Sequence, residues 1–256
     1  MSKFTFIMPT KNRAGFLKQS IDSIINQTYT DWELIVVDDH STDETEAIVE
    51  TFKDQRIIYK KLVSNTGPGA ARDFGIRQAS GDYIVIADSD NINRINRLEV
   101  LSQYISQKPF LDVIYGDMEI IRDGKSEILT SCEHNPKLQR IYNYIFNPTA
   151  CYKKEIYLKS SGYDFDLFTS EDYDLWLNFL KLDAKFGYIP EIMTTAIVHN
   201  ESLTSSVEFD LRKKNLNLVR NKHHLPIPST AEAKQILPLH LWERVDQKRG
   251  LEFWFN

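Results

Sequence analysis

The feature that most constrains this chain is an alternation confined to its first 117 residues. Short apolar runs rich in valine and isoleucine, at 4–8, 33–38, 57–62, 83–87 and 112–116, take turns with segments of helical periodicity. Such runs read as strands buried on both faces, because a half-exposed strand alternates apolar with polar. Between them Leu17, Ile21, Ile24 and Ile25 recur at helical spacing. Ser41-Thr42-Asp43-Glu44 has the form of a capping box opening a helix through Ala47, Ile48 and Phe52, and 67–79 and 94–106 supply two more crossovers. Strand, helix and strand in repetition demand parallel pairing with right-handed connections. The expectation is an α/β fold: a Rossmann-like, mainly parallel sheet with helices on both faces.

After residue 117 the alternation stops. Met118 to Arg122 and Glu127 to Leu129, joined by Asp123-Gly124, form the pattern of a hairpin with a type I′ turn. Helical patterns then cover Pro136 to Phe146 and Ser170 to Leu182, followed by strand-like Lys185 to Ile189 and Met193 to His199. This divides 1–210 into halves at 117 and leaves 211–256 as a basic helical extension. It carries Arg212, Lys213, Lys214, Arg220 and Lys222, a break at Pro226-Ile227-Pro228, and a tail ending Leu251-Glu252-Phe253-Trp254-Phe255-Asn256. Such a segment either packs on the core or touches an anionic membrane.

Charge removes one class of partner. With a net charge of −5 and a pI near 5.7 the chain lacks the basic footprint of a nucleic-acid binder. Cys132 and Cys151 have no metal-ligand spacing, the apolar stretch at the N-terminus is too short for a signal peptide, and no run approaches a membrane span. A cytoplasmic location is expected, with peripheral contact at the inner face of the membrane as its extension.

Chemistry gathers where strands end. Asp88-Ser89-Asp90 follows Tyr83 to Ala87, so two carboxylates one residue apart stand at the C-terminal mouth of a buried strand, where open α/β sheets bind ligands. Two such acids suit a divalent cation held against a nucleotide diphosphate. Pro9-Thr10-Lys11-Asn12-Arg13 follows the first strand, and Asp38-Asp39 ends the second, where a carboxylate accepts from a ribose hydroxyl or a base N–H. Gly67-Pro68-Gly69 lacks the third glycine of a dinucleotide fingerprint, with Arg72 at the close-packing position, so a dehydrogenase is disfavoured.

Taken in order, these residues resemble the family 2 glycosyltransferases, nucleotide-sugar-dependent enzymes of the GT-A fold. The resemblance is carried by Pro9-Thr10-x-Asn12-Arg13, the run from Gln27 to Asp43, Asn65-x-Gly67 with Ala71-Arg72-Asp73-x-Gly75-Ile76, and Gly81-Asp82-Tyr83-Ile84 through Asp88-Ser89-Asp90. Sparser matches follow at Gly162-Tyr163-Asp164, Ser170 to Trp176, and His199-x-x-Ser202-x-x-Ser205.

The resemblance implies a nucleotide-sugar-binding half at 1–117, an acceptor and catalytic half at 118–210, and a role for each matched residue. Asp39 contacts uracil or ribose and Arg72 reaches the base, beside Pro9, Thr10, Asn12, Arg13 and Ser89. Asp88 and Asp90 meet ribose and metal, Mn²⁺ or Mg²⁺, with the metal chiefly on Asp90 and His199 approaching it. Where the family often has a further aspartate, this chain has Asn91, one anion fewer. Asp172 in Glu171-Asp172 deprotonates the acceptor hydroxyl, while Leu175 and Trp176 belong to the core. The implied activity moves a sugar from a UDP-sugar donor to a glycan, lipid-linked or protein acceptor with inversion, in cell-surface glycan assembly. Processive synthases of the family carry membrane spans and Gln-x-x-Arg-Trp, and this sequence has neither, which implies one sugar per visit. Two other readings stand beside it: a sugar nucleotidyltransferase, which would need a glycine-rich, lysine-containing loop after the first strand, and a non-catalytic nucleotide- or glycan-binding module.

Overall fold

A computed structural model describes residues 4–199, 207–246 and 250–255. The first half is built as the alternation requires: β1 (Phe4–Thr10), α1 (Ala14–Ile25), β2 (Trp32–Asp38), α2 (Thr45–Glu50), β3 (Ile57–Lys61), α3 (Pro68–Gln78), β4 (Tyr83–Ile86), a short β5 (Asn91–Asn93) and α4 (Arg97–Gln107). β1 pairs in parallel with both β2 and β4, and β2 with β3. Side chains of each strand divide between two cores. Ile7, Ile35, Val37, Ile84 and Ile86 face one with Ala71 and Ile76 of α3, while Phe6, Met8, Leu34, Val36 and Val85 face the other with Leu17, Ile21, Leu98 and Leu101 of α1 and α4. β1, β2 and β4 are buried on both faces, as their unbroken apolar runs announced, whereas β3, at the edge of the sheet, is only partly buried and ends in exposed Lys60 and Lys61.

The second half completes the same sheet from the other side. It runs β6 (Val113–Arg122), β7 (Lys125–Leu129), a four-residue α5 (Pro136–Gln139), β8 (Cys151–Lys153), α6 (Lys154–Lys159), α7 (Glu171–Lys181) and β9 (Phe186–Ile197). The sheet order is β3-β2-β1-β4-β8-β6-β9-β5, with β7 on β6. β8 joins antiparallel to β4 and β6, β9 lies parallel to β6, and β5 lies antiparallel to β9. The hairpin turn has φ of 50° at Asp123 and 72° at Gly124, as a type I′ turn requires.

Three local expectations are corrected. Residues 112–116 and 118–122 are one strand, and 186–197 is one strand as well, because a register shift at Gly116 and Asp117 lets both continue through an irregularity. A Cβ on Gly116 would lie 2.7 Å from Met193 Cγ and 2.8 Å from the Glu191 carbonyl oxygen, so the two backbones close there only around glycine. The Ser41 capping box does not form: α2 starts at Thr45, Ser41 Oγ accepts from Asn12 N at 2.9 Å, and the Asp43 carboxylate takes the amides of Ala14 and Thr45. The pattern 136–146 is a short turn of helix followed by a descending segment, since Tyr144 and Ile145 are anchored in the sheet-side core instead of on a helix face.

The last segment is helical and packed: α8 (Phe209–His223), α9 (Thr230–Ile236), α10 (Leu239–Asp246) and α11 (Gly250–Phe255). Leu216 and Val219 pack on Leu167, Tyr173 and Leu177, and Leu237, Leu241, Trp242 and Phe255 join the larger core. Trp254 lies 4.8 Å from the Tyr142 ring, and Arg220 donates to its carbonyl. Asp174, fully buried, receives His223 Nε2 at 2.7 Å and Lys222 Nζ at 2.9 Å, tying α8 to α7. Although burial opposes it, these two partners hold Asp174 below the usual carboxylate range. Of the basic stretch, Arg220 is thus buried in the fold and Lys222, though exposed, is engaged in ion pairs with Asp164 and Asp174. No described helix is long and apolar enough to cross a membrane.

Candidate active site

A cavity of about 1010 Å³ opens where the two halves of the sheet meet, above the C-terminal ends of β1, β2 and β4. Pro9, Thr10, Asn12, Arg13, Asp39, Arg72, Asp88, Ser89, Asp90 and Asp172 all line it. His199 stands at its edge through Asp90, with Nε2 3.2 Å from Asp90 Oδ2 and its ring stacked on Phe16. Ser202 and Ser205 of the sequence match lie outside the described residues.

The side of the cavity formed by β1, β2 and β4 is held by strand ends that brace one another. Asn12, with φ of 51°, takes Ser41 Oγ through its amide and returns its own Oδ1 to the Thr42 amide at 2.8 Å, which latches the loop after β1 to the loop after β2. Asp38 turns away from the cavity, accepting from the Ser41 amide at 2.7 Å and from the Tyr59 hydroxyl at 2.5 Å. Asp39 turns toward it. Its Oδ1 accepts from Thr66 N and Oγ1 at 2.6 and 2.9 Å, and its Oδ2 from Gly67 N at 2.8 Å. A carboxylate offers about four lone-pair sites, so one on Oδ2 is left for a ligand. Thr10 Oγ1 is buried in the same wall with no hydrogen-bond partner among the described residues.

Asp88 and Asp90 differ in company. Asp88 Oδ1 receives Arg72 Nη2 at 3.0 Å, and its Oδ2 receives Asn91 Nδ2 at 3.4 Å, so the residue standing in for a third acid donates to the first. Asp90 meets His199 and, at 3.8 Å, Arg13 Nε. Burial first, then the like charge of Asp88, pushes the Asp90 carboxyl above its ordinary range. Two oxygen donors with an imidazole beside them fit a divalent ion that shares its sphere with a diphosphate, whereas no closed cluster of three or more His, Cys, Asp or Glu occurs among the described residues. Arg97 escaped the sequence reading because a lone arginine in a helix carries no local signal. It is fully buried behind this mouth, donating to the carbonyls of Ile86 and Ala150 and to Asn93 Oδ1 at 3.1, 3.2 and 2.5 Å, which fixes the last turn of chain before Asp88.

The opposite side begins at α7, whose N-cap Ser170 has φ of 64°. Glu171 and Asp172 then diverge by about 100° around the helix. Glu171 is buried and accepts from Arg72 Nη1 at 2.7 Å, while Asp172 faces the cavity with Oδ1 on the Tyr173 amide and Oδ2 on Asn143 Nδ2, at 2.8 and 3.2 Å. Burial raises both carboxyls above their ordinary values, against the pull of Arg72. Arg72 therefore does something the sequence did not disclose: its guanidinium joins the Asp-x-Asp loop to the Glu-Asp helix. Leu175 and Trp176 lie in the core, as expected. Asn143 and Asn147, also unforeseen, line the cavity beside Asp172, and each keeps a buried side-chain oxygen with no hydrogen-bond partner among the described residues.

A curled α/β sheet with acids at its strand mouths and a second acidic motif across one cavity defines a nucleotide-sugar transferase fold of the GT-A type. Comparison with known proteins agrees. Residues 5–161 match the profile of Glycosyl transferase family 2, and the chain belongs to that family. It is 33% identical over 197 residues to an uncharacterized glycosyltransferase of Methanocaldococcus jannaschii, covering 73% of this chain and 68% of that one. It is 32% identical over 194 residues to the UDP-Glc:α-D-GlcNAc-diphosphoundecaprenol β-1,3-glucosyltransferase WfgD of Escherichia coli, covering 69% of each. The chain thus spans about two thirds of the length of these relatives. Among solved structures, S. aureus TarS 1–349 with UDP-GlcNAc has a TM-score of 0.74 at 21% identity, over 98% of this chain and 75% of that one. The mannosyltransferase PcManGT of Pyrobaculum calidifontis with GDP-Man and Mn²⁺ has a TM-score of 0.68 at 21% identity, over 94% and 71%.

Proposed function

We propose that this chain transfers a sugar from a UDP-linked donor to an acceptor hydroxyl, with inversion at the anomeric carbon. The observation that carries the reading is the single cavity lined by Asp88, Asp90 and Asp172 and braced across by Arg72. Asp39 offers its remaining lone pair to the ribose or base, and Thr10 and the loop after β1 line the same wall. Arg72 adds a buried positive charge at the donor end. Asp90, with His199 beside it and Asp88 next to the ribose, would hold Mn²⁺ or Mg²⁺, which would supply charge neutralisation for the departing diphosphate. Asp172 takes the proton of the acceptor hydroxyl as the new C–O bond forms, and its raised pKa makes it a stronger base than a solvated carboxylate. A single in-line displacement needs one base and leaving-group electrostatics, with no protein nucleophile. The UDP preference is supported by the UDP-Glc relative, and a glycan or lipid-linked acceptor in cell-surface glycan assembly by the same relative's acceptor.

A screen of nucleotide sugars for metal-dependent binding and slow hydrolysis tests this reading. A UDP-sugar that binds with Mn²⁺, and is hydrolysed, is the expected result. Absence of any metal-dependent donor hydrolysis would favour the non-catalytic module, and pyrophosphate release from UTP and a sugar phosphate would favour the nucleotidyltransferase. Cytoplasmic residence with peripheral membrane contact is proposed on Lys214 and Leu218, exposed on α8, with Lys213 beside them. Co-sedimentation with anionic liposomes at low salt checks it, and failure to pellet removes it.

A further inference from the structure

We infer that Arg97 is a positioning residue whose buried charge, and not only its hydrogen bonds, serves the nucleotide site: from inside the protein it draws an anionic diphosphate to the Asp88-Ser89-Asp90 loop. The inference rests on the proposed binding of a UDP-linked donor with a divalent metal at that loop.

Arg97 has no exposure at all, and its guanidinium meets only neutral groups. Nη1 donates to the Ile86 carbonyl at 3.1 Å and to Asn93 Oδ1 at 2.5 Å, and Nη2 donates to the Ala150 carbonyl at 3.2 Å. Nε is buried without a partner, and no carboxylate pairs with Arg97 among the described residues. Arg72, buried almost as deeply, lies instead between the carboxylates of Asp88 and Glu171. Burial lowers the Arg97 pKa to about 10, against the pull of Cys151 and Asp88, and so leaves the side chain protonated at neutral pH. A charge held away from water with no counter-ion is costly, and an apolar side chain of similar volume would fill the space without that cost. The charge therefore calls for a reason.

Its place supplies one. The two acceptors on Nη1 stand on either side of the acidic loop, Ile86 two residues before Asp88 and Asn93 three after Asp90. One nitrogen pinches the base of the loop. Neutral donors and acceptors hold the rest: Ser20 Oγ donates to the Ser89 carbonyl at 2.9 Å, and the Asn93 amide donates to Ser23 Oγ at 3.0 Å. Chain advances at most about 3.6 Å per residue, so the guanidinium lies within roughly 10 Å of the Asp88 backbone. The carbonyl dipoles around it carry no net charge. Across so short and water-poor a path its unit charge reaches the loop with little screening.

Such a charge has a sign that hydrogen bonding alone lacks. It repels Mn²⁺ and attracts UDP, whose negative charge exceeds the positive charge of the metal. Arg97 thus lowers affinity for the free ion and raises it for the nucleotide, which suits a site that takes metal and diphosphate together.

The test is calorimetry on the full chain, with Mn²⁺ alone and with UDP at saturating Mn²⁺. Asn93→Asp sets a carboxylate against Arg97 and keeps the oxygen that accepts from Nη1, so it cancels the charge and retains the bond. It should bind Mn²⁺ about three- to tenfold more tightly than the wild type and UDP about three- to tenfold more weakly, the scale of one unit charge at such a distance. Loss of a merely structural tie would weaken both together. Any pattern other than opposite shifts, in a variant that melts as the wild type does, overturns the inference. If Asn93→Asp does not fold, Arg97→Lys, which keeps the charge, is compared with Arg97→Gln, which keeps N–H donors without it. UDP affinity should survive in the first and fall in the second. Equal affinities, or failure of either to fold, overturn the inference in favour of a structural role. A wild type that does not bind UDP with Mn²⁺ overturns the donor reading beneath it instead.

Discussion

One wall of the cavity, the one proposed to hold the donor, is made from strand ends in one contiguous stretch of sheet, with Thr10 ending its parallel strand and Asp39 and Asp88 following theirs. The opposite wall collects Asn143 and Asn147 from an irregular descent and Asp172 from a helix start. In the first, position along the sequence fixes position in space, because a parallel strand delivers its next residue to the same edge every time. In the second, each side chain is placed by partners far away in the chain. Arg72 is where the two modes meet, bonded to Asp88 sixteen residues on and to Glu171 ninety-nine residues on.

If the acceptor wall carries the chemistry and the donor wall the binding, the two should fail differently. The largest effect is expected from Asp172→Asn. Loss of a well-placed base lowers turnover about 10²- to 10⁴-fold, while UDP and Mn²⁺ affinity, measured by calorimetry, stays as in the wild type. Near-normal turnover would erase the distinction between the walls.

Arg72→Ala strikes the joint. Removing the shared cation leaves Glu171 and Asp88 facing each other's charge in a buried site, at a cost of about 3–5 kcal/mol in stability. Denaturant unfolding measures it, and a loss near zero would mean that the walls hold without their tie.

Asp90→Asn belongs to the donor wall alone. It should remove the metal-dependent part of UDP binding, about 1.5–3 kcal/mol on the scale of a charge-assisted contact. Equal UDP affinity in Mn²⁺, in chelator and in the variant would break the assignment.

The smallest effect is a displacement in pH. Burial raises the Asp172 carboxyl, and a base works only when ionised, so kcat/KM should fall as pH drops through a value above the ordinary carboxylate range. Asn143→Asp puts a second anion where the amide now donates, and should move that acid limb further up. A limb at the ordinary aspartate value would place Asp172 in open solvent.

The same contrast explains what could be read beforehand. The first half of the sheet was legible from its apolar runs, because strands buried on both faces need no partner to reveal their pattern. Asp39, Asp88 and Asp90 were legible for the same reason. The long β6 and β9 were read as broken because their bulge at Gly116 hides a continuous strand behind a change of register. Asn143 was masked by an apparent helix from 136 to 146, whose apolar spacing serves a core contact instead, and Asn147 stands just past it with no local signal of its own. Arg72, expected to reach the base, lines the cavity paired with Asp88 and Glu171, and no local pattern shows which distant carboxylates a guanidinium will meet.

Strand β9 has a consequence for the order of assembly. It lies between β6 and β5, pairing Asn91 with Ala196 across more than a hundred residues, and His199 follows it directly. Contacts so distant in sequence form only after loop entropy has been overcome, whereas β1 to β4 close over short crossovers. Pulsed hydrogen exchange that found β9 protected before β1 and β2 would contradict this sequence of events. A nascent chain emerging N-terminus first would accordingly bring Asp39, Asp88 and Asp90 to one edge of the sheet early, and Asp90 would lack its His199 partner until synthesis had passed residue 199.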